Sequence, residues 1–129
     1  LRQYHKDGTL PQNDEIFVFG SNEAGIHGAG AAKAAYDKFG AVWGVGFGLF
    51  GQSFAIPTKD RFIYSLPKDK IFTYVRMFVN STVAFQDKKW FVTRVGCGLA
   101  GFLDREIAPM FKDAENCSFA EEWIQYLDA

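Results

Sequence analysis

Only two cysteines, Cys97 and Cys117, occur in the 129 residues. That is too few for a disulfide-stapled scaffold, and they lack the paired spacing of a zinc site. Histidine is as scarce, with His5 and His27 alone, and no metal constellation or cofactor motif stands out. No apolar run approaches the roughly 20 residues of a membrane helix, and Leu1-Arg2-Gln3-Tyr4-His5 does not read as the start of a secretory signal. A cytoplasmic location with no membrane partner is the resulting expectation. Neither sign of charge is in excess: 14 basic and 15 acidic residues give a formal net charge of -1, scattered without long runs. A nucleic-acid polymer is therefore not favoured as a partner. A small anionic ligand stays open, because phosphate held by backbone amides needs few lysines or arginines.

What the chain does have is aromatic side chains, 17% of the total with fourteen phenylalanines, and glycine in clusters. The aromatics imply a core, and in part a pocket, built from flat rings. The length fits one domain. Residues 1–14 are polar, with Gly8 and Pro11, and read as an extended arm or the remnant of an earlier element; residues 15–129 read as a single domain. Ile16-Phe17-Val18-Phe19 is a continuous apolar run stopped by Gly20, as in a strand buried on both faces of a parallel sheet. Ala31 to Phe39 favours helix, with Gly40 suited to its C-terminal cap. Gly40 to Gly51 is turned rather than helical, and Phe54-Ala55-Ile56 is a further apolar segment halted by Pro57.

Pro67 to about Phe85 reads as the longest helix, with Ile71, Val75, Phe78, Val79 and Thr82 forming the stripe that faces the sheet. Trp90 to Val95 reads as a central strand, and a helix follows near Leu103 to Phe111, limited by Pro109. At the end, Ser118-Phe119-Ala120-Glu121 has capping-box spacing before a helix from Glu122 to Leu127. Alternatively, Asn116 to Phe119 forms a short edge strand and only Ala120 onward is helical. This alternation predicts an α/β fold, a three-layer αβα sandwich around a mostly parallel mixed sheet, with ligands bound beyond the carboxyl ends of its strands.

Two glycine loops stand where such a ligand would lie. The first runs from Gly20-Ser21-Asn22 through His27-Gly28-Ala29-Gly30 into a helix, whose unpaired N–H groups and dipole suit a phosphate. The second is Gly96-Cys97-Gly98-Leu99-Ala100-Gly101-Phe102, again between strand and helix. Neither carries the Gly-Lys-Ser/Thr ending of a P-loop, and the spacing of Gly25, Gly28 and Gly30 does not fit a dinucleotide fingerprint.

The stretch from Val18 to Ala32 resembles the strand, asparagine turn and first phosphate loop of the macro domain family. Val92 to Phe102 resembles that family's later strand and second phosphate loop. Together with Gly51-Gln52-Ser53-Phe54-Ala55-Ile56-Pro57-Thr58-Lys59-Asp60, the pattern is similar to a group of bacterial and phage macro-like proteins. The resemblance implies a cleft for ADP-ribose, free or attached to a substrate, with the diphosphate between the loops and the terminal ribose near the asparagine turn. Ser21 and Asn22 would then lie by the ribose, and Gly28, Ala29 and Gly30 would offer amides to one phosphate. Gly98, Leu99, Ala100 and Gly101 would hold the other, approached through Gly96 and Cys97, with Phe102 stacked beside the terminal ribose. The doubled asparagine of familiar members is here Gly20-Ser21-Asn22. The early aspartate that many members direct at adenine has no counterpart at Asp14, which aligns elsewhere.

Three functions follow as alternatives. One is a hydrolase acting on an ADP-ribosyl bond or on ADP-ribose phosphate, with Asn22 and His27 as its catalytic candidates. A second is a reader of ADP-ribose-like nucleotides without catalysis. The third is a Cys-dependent amide or acyl hydrolase using Cys97 and His27. Each side chain also has a plain structural reading. His27 would be an exposed loop residue, Asn22 a turn residue tolerant of left-handed backbone, and Cys97 a small buried thiol. Asp104 and Glu106 would serve a helix dipole, while Lys59, Asp60, Arg61 and Arg94 would form surface pairs. Trp43, Phe47 and Phe50 would either cover a base or pack beneath a loop.

Overall fold

A computed structural model describes residues 2–128. The chain forms a six-stranded mixed sheet flanked by helices on both faces, the α/β sandwich expected from the sequence. Its strands are β1 (Gln3–His5), β2 (Glu15–Asn22), β3 (Gly48–Phe50), β4 (Ser53–Lys59), β5 (Lys89–Val92) and β6 (Cys117–Ala120). They lie in the order β1-β6-β5-β2-β4-β3. Every pairing is parallel except that of β3 with β4. The helices are α1 (Gly30–Lys38), α2 (Lys68–Ala84), α3 (Asp104–Ile107) and α4 (Ile124–Leu127). Among the described residues no helix is long and apolar enough to cross a membrane.

The two faces of the sheet are packed differently. On one, Ala32 and Ala35 of α1 lie against Phe17, Phe19, Ala55 and Phe91. Alanine's methyl is too small to hold helix and sheet apart, so α1 packs closely on the sheet. On the other face, α2 buries Ile71, Val75, Phe78, Val79 and Thr82, the stripe that the helical spacing predicts. There Phe78 meets Phe54, Trp90 and Phe111 edge to face at 5.1–5.8 Å. Burying one such ring contributes about 2–3 kcal/mol.

Several elements differ from the sequence reading. Part of the polar arm is ordered into the sheet, since β1 pairs with β6. Strand β6 is consequently internal rather than an edge, and Ser118 lies within it instead of capping a helix; its hydroxyl is 2.8 Å from His5 Nδ1. Helical structure resumes only at Glu121, in a 3-10 turn before α4. Pro57 does not halt β4. Strand β3 pairs only with Ser53, Phe54 and Ala55, so at Pro57 that side of β4 faces no strand and a missing N–H breaks no ladder bond. Pro109 acts as expected, converting the end of α3 into a 3-10 turn over Ala108–Phe111.

Candidate functional site

Strands β2, β4 and β5 all run toward one end of the sheet, and there a cleft of about 630 Å³ opens. That size suits a nucleotide-sized ligand. Gly20, Ser21 and Asn22 at the end of β2, Thr58 and Lys59 at the end of β4, and the chain after β5 all line it. The two loops are drawn together at their roots: a methyl on Gly20 would lie 3.4 Å from the Gly96 amide nitrogen. They approach again at their tips, where a methyl on Gly30 would lie 4.0 Å from Leu99 Cδ1.

The backbone in this cleft carries two runs of amide donors that no described acceptor meets. Helix α1 begins without a side-chain cap and with no acidic residue in its first turn. Its first bond is from Lys33 N to Ala29 O at 3.2 Å, and no described acceptor meets the amides of Gly30, Ala31 and Ala32. In the second loop Gly101 N donates to Gly98 O and Phe102 N to Gly96 O, closing the turn. No described acceptor meets the amides of Gly98, Leu99 and Ala100. Such donors on a glycine-rich concavity bind anions.

Of the residues anticipated from sequence, Ser21, Asn22, Gly28, Ala29 and Gly30 line the cleft from the first loop. Gly96, Cys97, Gly98, Leu99 and Ala100 line it from the second. His27, Gly101 and Phe102 do not line it. Phe102 turns inward and packs against the α2-side core instead of standing beside a sugar. His27 is neither exposed nor in the cleft: it is 1% exposed, between Phe19 and Trp43. Its Nε2 faces the carbonyl oxygens of Val42 at 3.0 Å and Val45 at 3.2 Å. Both partners are acceptors, so Nε2 carries the hydrogen. The imidazole thus holds the loop after α1 beneath the first glycine loop.

Asn22 is also committed. Its Nδ2 donates to Ile26 O at 2.8 Å and its Oδ1 accepts from Ile26 N at 2.9 Å. Left-handed tolerance is not why asparagine stands here, since Asn22 is not among the residues with positive φ. The Ser21 hydroxyl donates to Gly46 O. Burial, followed by the neighbouring Asp104 carboxylate, raises the Cys97 thiol to about 12. His27, the imidazole expected to activate that thiol, is turned away into the core.

Arg94 lines the cleft but is engaged, with Nη2 2.7 Å from Asp104 Oδ2, Nε 3.0 Å from Asp104 Oδ1 and Nη1 3.3 Å from Asp7 Oδ2. Trp123 Nε1 donates to the same Asp104 at 2.8 Å. Burial pushes the Asp104 carboxyl up, but the hydrogen bonds from Arg94 and Trp123 outweigh it and hold the group below the ordinary carboxylate range. Glu106 accepts from Leu103 N at 2.9 Å and caps α3. Lys59 lines the cleft with no carboxylate within ion-pair distance among the described residues. Trp43, Phe47 and Phe50 do not line it; Phe47 packs on Phe54 and Tyr74.

No family model and no curated protein matches the chain. A solved structure of a protein of unknown function from Bacteroides thetaiotaomicron is similar, with a TM-score of 0.62 and 18% identity over 93% of this chain and 96% of that one. At that identity the likeness bears on the fold alone.

Sequence reasoning overlooked one whole end of the cleft. His5, Asp7, Thr9 and Leu10 line it together with Phe17 and Phe91. The His5 ring stacks on Phe91 at 3.7 Å and 15°, and burial lowers its pKa, so it stands neutral at physiological pH. A three-residue strand carries too short a pattern to be read from sequence, and without it these residues had no address.

Proposed function

We propose that the cleft binds ADP-ribose or a related nucleotide diphosphate, in the manner of the macro domains that the two loops resemble. The observation that carries the reading is a pair of glycines without a structural duty. Gly28 and Gly98 line the same cleft, neither has a left-handed backbone, and a Cβ on either would meet nothing within 4 Å. A ligand lying close over the backbone explains glycine at such positions. The free amides supply the rest. Those of Gly30, Ala31 and Ala32 suit one phosphate, helped by the dipole of α1, and those of Gly98, Leu99 and Ala100 suit the other. Lys59 adds a positive charge at the mouth.

Strand order gives the ligand a direction. Toward β1 and β5 the cleft offers the stacked His5 and Phe91, with Phe17 and Leu10, as a slot for a planar base, and Asp7 as an acceptor for a base amino group. Toward β4 lie Asn22, Thr58, Lys59 and Ile63, where a sugar beyond the diphosphate would sit. Binding without turnover is the reading favoured here. The Asn22 amide is already used, His27 lies outside the cleft, and the four residues at the β4 end include no carboxylate or imidazole.

Calorimetric titration with ADP-ribose tests the proposal. Gly98→Glu places a carboxylate in the anion site while meeting open space, so affinity should fall at least about tenfold with little change in Tm. Folded wild-type protein that binds neither ADP-ribose nor ADP would end the reading.

A further inference from the structure

The turn from Asp60 to Ser65 contains a residue that its backbone does not favour. Ile63 has a φ of 71°, in the left-handed region where a branched Cβ is strained. The flanking residues Lys59 and Ser65 pair as an antiparallel bridge. Within the turn Ile63 N donates to Asp60 O at 3.1 Å and Asp60 N to Tyr64 O at 2.7 Å. The Asp60 carboxylate accepts from the amides of Phe62 at 2.8 Å and Tyr64 at 3.0 Å. This is the bonding of a short hairpin loop closed by a left-handed residue, a position that glycine fills without strain. Ser65 Oγ donates to Ala100 O at 2.7 Å, which ties the turn to the second glycine loop.

Packing does not explain the isoleucine either. Ile63 is 41% exposed and belongs to neither core cluster. Its neighbours Phe62 and Tyr64 are 67% and 73% exposed and do not line the cleft, whereas Ile63 does. Its place is the β4 end, next to Thr58 and Lys59.

We infer that Ile63 determines specificity, its side chain packing against the apolar face of the sugar that follows the diphosphate. The inference rests on the nucleotide reading of the cleft. It makes a distinction that the glycine loops cannot make, because a ligand that stops at its second phosphate does not reach the β4 end.

Titration of wild type, Ile63→Gly and Ile63→Val with ADP-ribose and with ADP tests this, alongside the Tm of each. Glycine suits the backbone, so Ile63→Gly should melt higher than wild type. It should lose about tenfold in ADP-ribose affinity, as expected for removing a partly buried branched side chain. Affinity for ADP should stay within about twofold, and Ile63→Val should keep the wild-type ratio between the ligands. An unchanged ratio in Ile63→Gly, or a lower Tm, would overturn the inference while wild-type binding still upheld the cleft. Wild type that binds neither ligand would overturn both.

Discussion

The first glycine loop is braced from within by its own polar side chains, whereas the second is braced from behind by an ion-paired aspartate. In the first, Ser21 and His27 bond carbonyls in the Val42–Gly46 segment and Asn22 bonds Ile26. In the second, Asp104 gathers Arg94 and Trp123 beneath the turn, while Phe102 anchors the far side in the core. The two solutions leave the same thing exposed, a run of amides that no acceptor meets among the described residues. Residues that look like chemistry in the sequence hold the backbone, and under the proposed function it is the backbone that would meet the ligand.

That contrast should break most visibly within the first loop. Gly25 has a φ of 69°, and a methyl there would lie 2.2 Å from Val45 N. Gly25→Ala should therefore cost more than about 3 kcal/mol in urea unfolding, through overlap with backbone that cannot give way. Gly28→Ala, three residues along, meets open space and should stay within about 1 kcal/mol of wild type. Its effect should fall on ADP-ribose affinity instead. Equal destabilisation by both would show that the loop is packed throughout, with no separate ligand-facing tip.

For the second loop the brace is electrostatic, so it should respond to pH. Asp104 is held below the ordinary carboxylate range by Arg94 and Trp123 despite its burial. Its contribution is therefore fully present above the unfolded value of about 3.9 and is lost as pH falls through the lower folded value. Asp104→Asn should destabilise by about 2 kcal/mol at neutral pH, since Arg94 then keeps only Asp7. The acid limb of the stability curve should flatten in the variant. A wild-type acid limb retained in Asp104→Asn would assign that titration to other carboxylates.

The parts of the fold legible in sequence are those with a long period or a hard stop. The stripe of α2 spans more than three turns, and the run before Gly20 admits little but a buried strand. What escaped depends on partners distant in sequence. Gln3–His5 is a strand because β6 lies beside it, and Pro57 is tolerated because the pairing of β3 with β4 ends at Ala55. The site divided in the same way. Glycines beside a helix start advertise free amides locally, so both loops were legible. Whether His27 faces ligand or core is settled by Val42 and Val45, and nothing near His27 in the sequence records that choice.

The smallest expected effect concerns Cys97, where the two loops would meet in a cysteine hydrolase. The thiol lines the cleft, yet burial and the Asp104 carboxylate raise it to about 12, and the only imidazole of the first loop is sealed beneath Trp43. Cys97→Ala should therefore leave ADP-ribose affinity within about twofold, because removing a small neutral group from a site served by amides disturbs little. The unfolded chain releases the thiol proton first, near pH 8.5. Stability linked to the protonated thiol is thus fully present below that pH and is lost as the pH rises toward about 12. Cys117, buried in β6, is shifted in the same direction, so the measurement is a difference between wild type and Cys97→Ala. The variant should lose less stability across that alkaline range. Iodoacetamide at neutral pH should leave Cys97 largely unmodified in folded protein and label it readily in urea. Rapid labelling of the folded state would mean that the cleft does stabilise a thiolate, and the second loop would then need reading as a nucleophile's cradle.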